Sequence, residues 1–184
     1  RICSTSTALI YVTLSGNWIC TANNPNITIS AQQAVSLTSK NLGVVPASTI
    51  PEGIAALLEF DVSTSLESNL NRMQGSLDSV STIEVCKAVR PVDLNGVAVG
   101  DDQIIGLLNR QLVAAADTAE AALTDALAQV LTEDSELVTL FWGGPMTENE
   151  AAQTAQNLEA RFESVEFELV SGGQPHYHFL ASVE

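Results

Sequence analysis

The 184-residue chain is 46% hydrophobic and only 5% aromatic, enough for a packed core filled by Ala, Val, Leu and Ile, and far from a disordered composition. Its 22 acidic and 7 basic residues give a formal net charge of −15, a surface that repels nucleic-acid backbones and anionic membranes. The apolar runs fall short of a spanning helix, and Cys3, Cys20 and Cys86 are too few and too scattered for a disulfide framework or a zinc knuckle.

A reducing, cytoplasmic setting is therefore expected, with Cys86 an inert core thiol. Residues 1–18 are mildly apolar but lack the uninterrupted core of a signal peptide. Arg1 in place of an initiator methionine reads as the edge of a piece of a longer polypeptide. Asn17 to Cys20 is a short buried strand that runs into the polar turn Thr21 to Asn26. From Ile29, with Ser30 as cap, Ala31, Ala34, Val35 and Leu37 keep helical spacing to Ser39. Leu42 to Val45 is the next buried strand, closed by Pro46. Ile50-Pro51-Glu52-Gly53 opens a helix with proline at a tolerated early position, and Ser65 to Val80 forms another amphipathic helix. This strand–helix alternation predicts parallel strands with crossover helices, whose ligands sit at the carboxyl ends of the strands. Asn23-Asn24 and Ala47-Ser48-Thr49 occupy such ends.

After Ser81 the pattern changes to hairpins. Ile83 to Val89, Val97 to Val99, Ile104 to Leu108 and Gln111 to Val113 are β-rich, with turn signals at Asn95-Gly96 and Asn109-Arg110. Asp117 caps an alanine-rich helix reaching Leu131. Leu137 to Trp142 is a buried strand, broken by Gly143-Gly144-Pro145. Thr147 with Glu150 predicts a capping box for a helix ending near Phe162. Val165, Phe167 and Leu169 alternate with Glu166 and Glu168 in a half-exposed strand. Gly172-Gly173 then turns the chain into an apolar closing strand. The expected fold is α/β in two lobes: residues 1–80 with a mostly parallel sheet, and 81–184 with a mixed or antiparallel one.

No nucleophile elbow, phosphate loop or zinc-protease helix is present, so no catalytic set assembles. His176 and His178, two apart on a strand, share a face and could share a metal, but no third ligand has suitable spacing. Strand packing accounts for them without one.

The stretch from Val45 to Asp61, which contains Ser48-Thr49-Ile50-Pro51-Glu52-Gly53-Ile54-Ala55-Ala56-Leu57-Leu58, resembles a segment of the dihydroxyacetone-kinase-related ATP-binding subunit of fatty acid kinase (FakA-like). Asn23-Asn24-Pro25-Asn26-Ile27, Glu84-Val85 with Ala88-Val89-Arg90, Leu94-Asn95-Gly96-Val97, Leu137 to Gly143 and Gly172-Gly173-Gln174-Pro175 are similar to that family's pieces in the same order. Ala22 and Glu52 stand where the family carries proline and glutamine. The resemblance covers about residues 20–184 and implies the C-terminal domain of the subunit, with a DegV-like fold.

It further implies that ATP and magnesium belong to an upstream domain, that this domain needs no cofactor, and that it docks a fatty-acid-binding DegV-like partner protein. A homo-oligomer of the parent is compatible with it. The alternative is an acyl-chain or small-molecule binding module of DegV-like type. Candidate contact residues are Asn23, Asn24, Thr49, Gly173 and Gln174, because turns at strand ends present side chains outward. No catalytic or metal-binding residue is expected.

Overall fold

The computed structural model describes residues 9–14, 16–94 and 96–184. The chain divides into two compact units, one ending at Val80 and one containing Ser81–Glu184.

In the unit ending at Val80, β1 (Leu9–Leu14), β2 (Asn17–Ala22) and β3 (Asn41–Val45) form a sheet in that order. β1 runs antiparallel to β2, and β2 runs parallel to β3. The sheet is therefore mixed, a correction to the mostly parallel expectation. The cause is the hairpin joining β1 to β2, where Gly16 takes the positive φ of 85° that a two-residue loop demands. Helix α1 (Pro25–Leu37) is the parallel crossover. It starts earlier than the hydrophobic spacing suggests, because Asn24 is the cap: its side chain accepts the Asn26 N–H at 3.0 Å, and Pro25 follows at the first helical position. Helix α2 (Ile50–Leu58) begins from a Thr49 cap in the same way. Helix α3 (Leu66–Gly75) is shorter than predicted and gives way to a 3-10 turn at Leu77–Ser79. The core here is small, gathered on Ile19, Val45, Ala56 and Met73. Asn69, fully buried, ties the α2–α3 connection by accepting the Asp61 N–H at 2.8 Å and donating to the Asp61 carbonyl at 2.9 Å.

The unit from Ser81 opens with β4 (Ser81–Lys87), followed by a separate hairpin of β5 (Val92–Leu94) and β6 (Val97–Val99). That hairpin turns at the predicted Asn-Gly pair, whose Asn95 lies outside the described residues. The remaining strands are β7 (Ile104–Leu108), β8 (Gln111–Ala116), β9 (Leu137–Trp142), β10 (Glu166–Ser171) and β11 (Tyr177–Val183). With β4 they form a six-stranded sheet in the order β10-β9-β11-β4-β7-β8. Within it β9 and β10 pair in parallel, and the rest of the ladder is antiparallel. Asn109 and Arg110 both take positive φ, 46° and 68°, as the tight β7–β8 turn requires. Asn109 also accepts the Thr82 N–H at 2.8 Å, which pins that turn to β4.

Helices α4 (Ala119–Val130) and α5 (Glu148–Arg161) lay Ala122, Leu123, Ala126, Leu127, Ala151, Ala155 and Leu158 against Ile83, Val85, Leu140, Phe167 and Phe179 of the sheet. Thr118, not Asp117, caps α4, its hydroxyl accepting the Ala121 N–H at 3.1 Å. The predicted capping box of α5 is present: Glu150 accepts from the Thr147 N–H at 2.8 Å and hydroxyl at 2.7 Å, and Thr147 Oγ1 accepts the Glu150 N–H. The backbone hydrogen bond from Thr147 holds the Glu150 carboxyl below its ordinary pKa, with the hydroxyl adding to it.

Cys86 is disulfide-bonded, which corrects the expectation of an inert free thiol. Spacing along the chain does not report which thiols a fold brings within bonding reach. Cys20 is free, and burial pushes its thiol pKa up. That makes it a weak nucleophile.

Candidate functional site

In the unit ending at Val80, the parallel pairing of β2 and β3 puts their carboxyl ends side by side, and α1 and α2 both begin there. Asn23 and Thr49 accordingly meet. With Thr21, Ala22, Ala47, Ile50 and Gly53 they line a cavity of about 10 Å³. That is about the minimum for one water molecule, and too little for a ligand. Thr49 is 1% exposed and its hydroxyl accepts the Glu52 N–H at 3.3 Å; Glu52 in turn accepts the Ser48 N–H at 2.6 Å. Thr21 Oγ1 is buried with no hydrogen-bond partner among the described residues. The predicted strand-end cluster is thus assembled, but Asn24 and Thr49 spend their side chains on helix starts.

Gly173 and Gln174 lie in the other unit, in the β10–β11 connection. Gly173 has φ 63°, as its type allows. Gln174 is buried, donates from Nε2 to the Phe141 carbonyl at 2.7 Å and accepts the Gly144 N–H at 2.8 Å through its own backbone carbonyl. A Cβ on Gly143 would collide with the carbonyl oxygens of Tyr177 and Gln174. The two glycine-rich loops are therefore knitted together, and Gln174 is the clasp. Burial of this kind is not readable from a turn motif.

Two further features emerge only in three dimensions. Helix α1 contains no charged residue and buries only Thr28, while Ile29, Val35 and Leu37 are 51%, 41% and 86% exposed. In a chain with this much charge, such a bare helix is a distinct surface.

The second feature surrounds the closing strand. The β11–β4 register shifts between Tyr177 and Phe179, a bulge at His178 that re-aims its side chain. His178 and Pro145 line two neighbouring cavities of about 450 and 330 Å³. The larger also meets Asp117, Glu120 and Glu150; the smaller meets Lys87, His176 and Pro175. The Nδ1 atom of His178 is buried without a hydrogen-bond partner. Burial lowers the His178 pKa from its usual value, opposed by a hydrogen bond with the Val85 backbone. So the two histidines do converge, on a cleft rather than a metal: among the described residues no group of three or more His, Cys, Asp or Glu could hold an ion. The histidine pair is the sequence signal for this cleft, but the bulge that aims it is invisible in sequence.

The family signature described as FakA-like, C-terminal, which belongs to fatty acid kinase, matches residues 15–184. The chain is 36% identical over 162 residues to a protein of Staphylococcus haemolyticus, covering 88% of this chain and 29% of that one. A Staphylococcus aureus protein is 33% identical over the same length, covering 88% and 30%. The chain thus spans about 30% of the length of these relatives.

Among solved structures, the fold is similar to the dihydroxyacetone kinase of C. freundii, with a TM-score of 0.56 at 13% identity, over 86% of this chain and 35% of that one. It is also similar to a DegV family protein from Corynebacterium glutamicum, with a TM-score of 0.50 at 14% identity, over 95% and 87% of the two chains. At such identities the likeness is one of fold.

Proposed function

This chain belongs to the FakA-like C-terminal family of fatty acid kinase, and from that membership we propose that it is the non-catalytic, partner-docking domain of a kinase subunit. In this reading it presents a fatty-acid-binding DegV-like protein to an ATP- and magnesium-binding domain elsewhere on the polypeptide. The observation that carries the proposal is the family match over residues 15–184, joined to a fold shared with both a dihydroxyacetone kinase and a DegV family protein. No helix among the described residues is long and apolar enough to cross a membrane.

The docking surface in this proposal is α1, entered through Asn23 and Asn24. Interface centres are depleted of charge relative to the remaining surface, and α1 combines an absence of charge with exposed Ile29, Val35 and Leu37. The acidic remainder of the chain speeds encounter with a basic partner face and adds salt dependence to the association rate. The test is titration calorimetry of the lipid-loaded DegV-like protein against the parent subunit, with and without Ile29→Arg and Leu37→Arg. The proposal expects a weakening of at least about tenfold, the size of one lost interface anchor. Unaltered affinity in both variants rejects α1 as the surface, and unaltered affinity after removal of residues 15–184 rejects docking altogether.

A further inference from the structure

The cleft around His178 has a polarity that docking does not use. On one side of Pro145 stand Asp117, Glu120 and Glu150 at the starts of α4 and α5; on the other stand Lys87 and His176. The acidic groups already hold neutral donors: Gln103 Nε2 to Asp117 at 3.3 Å, Asn157 Nδ2 to both Glu120 oxygens at 3.0 Å, and Thr147 to Glu150. None of these bonds neutralises charge, and no described cation forms an ion pair with them. Lys87 pairs with Asp102 at 2.8 Å, but both side chains are largely exposed, 58% and 84%, so that pair is weak and exchangeable. The walls between the charged ends are Ile104, Met146, Pro145 and Pro175. Cavities of a few hundred Å³ with apolar walls and a few convergent polar groups are the usual form of a small-molecule site.

We propose that this cleft binds a small zwitterion, its ammonium end toward Asp117 and Glu120, its anionic end toward Lys87 and His176, and its short apolar body across Pro145. His178 stands at the junction of the two cavities, and its buried, unpartnered Nδ1 supplies the polar contact at the centre. A ligand satisfying that atom removes the cost of burying it unpaired. The opposite charge of the two ends selects for a molecule carrying both signs. A carboxylate without an ammonium leaves the acidic end unmatched, and an alkylamine leaves the basic end unmatched. The site lies wholly within the unit from Ser81, and it stands whether or not α1 docks a partner.

The experiment uses the whole chain and three probes of equal length: 6-aminohexanoate, hexanoate and hexylammonium. Nuclear magnetic resonance follows the His176 and His178 ring signals during titration. The proposal expects saturable shifts of the His178 ring with 6-aminohexanoate, and affinity at least about tenfold lower for each singly charged probe, as expected when one charge-assisted contact is lost. Glu120→Gln and Lys87→Met, both at exposed or rim positions, should each reduce zwitterion affinity by about the same factor while the thermal midpoint stays put. Hexanoate binding as tightly as the zwitterion overturns the proposal in favour of an acyl-carboxylate site, and hexylammonium doing so reduces the cleft to an acidic patch. Absence of any saturable shift with 6-aminohexanoate also overturns it.

Discussion

The two units solve the same packing problem with unequal means. From Ser81 onward, two helices cover a six-stranded sheet, and Phe179, Leu123, Leu127, Leu140 and Leu158 are all but sealed from solvent. Before Val80, the described strands and helices gather around Ile19, Val45, Ala56 and Met73, and α1 contributes little to that core. The difference teaches where stability and recognition are divided. The closing unit is the scaffold, and the first unit keeps apolar side chains on the surface where another molecule can use them.

That division can be broken experimentally. The largest effect is expected at Phe179→Ala, about 3–5 kcal/mol of lost stability in urea unfolding, because the ring is fully buried between sheet and helices. Met73→Ala, in the smaller core, should lie near the low end for such a truncation, about 2 kcal/mol, since its partly buried neighbours Leu57, Leu66 and Leu70 can collapse toward it. A larger loss at Met73 than at Phe179 would contradict the contrast.

Next in size is the clasp between the glycine loops. Gln174→Ala leaves the Phe141 carbonyl without its donor and should cost about 1–3 kcal/mol. Thr49→Ala removes the α2 cap and should cost about 1 kcal/mol. Both are read by denaturation. A silent Gln174→Ala would return that residue to the role of a surface contact.

The His178 contribution depends on pH. Its folded-state pKa lies below the ordinary value, so the unfolded chain takes the proton first as pH falls. Stability is full above about pH 6.5, the usual imidazole value, and declines as pH drops from there toward the lowered folded value. His178→Gln should flatten that slope in melting curves taken across the range from neutral to mildly acidic pH. An unchanged slope would show that His178 is not the group responsible. The smallest stability effect is expected at Leu37→Ser, within about 0.5 kcal/mol, since an exposed side chain gives up little packing.

Much of this fold is written locally. The α5 capping box, the Asn109-Arg110 turn and the alternating Val165-Phe167-Leu169 strand follow from short-range chemistry, and the structure contains all three. The strand Leu9–Leu14 carries a signal of its own, a β-rich run followed by Ser15-Gly16, but read as an undifferentiated apolar segment it leaves the first sheet looking mostly parallel. Asn24 reads as a contact residue although it is a cap, because cap and contact demand the same residue type at a turn. The His178 bulge and the burial of Gln174 depend on partners up to 93 residues away in the strand pairing around Tyr177 and Glu84. No local pattern encodes them.

Docking through the first unit is tested most directly by hydrogen exchange of the parent subunit, first free and then with its lipid-loaded DegV-like partner. The account predicts slowed exchange concentrated in Pro25–Leu37, with the sheet from Ser81 unaffected. Protection confined to β4, β9 or β11, with α1 exchanging as fast as before, would contradict it.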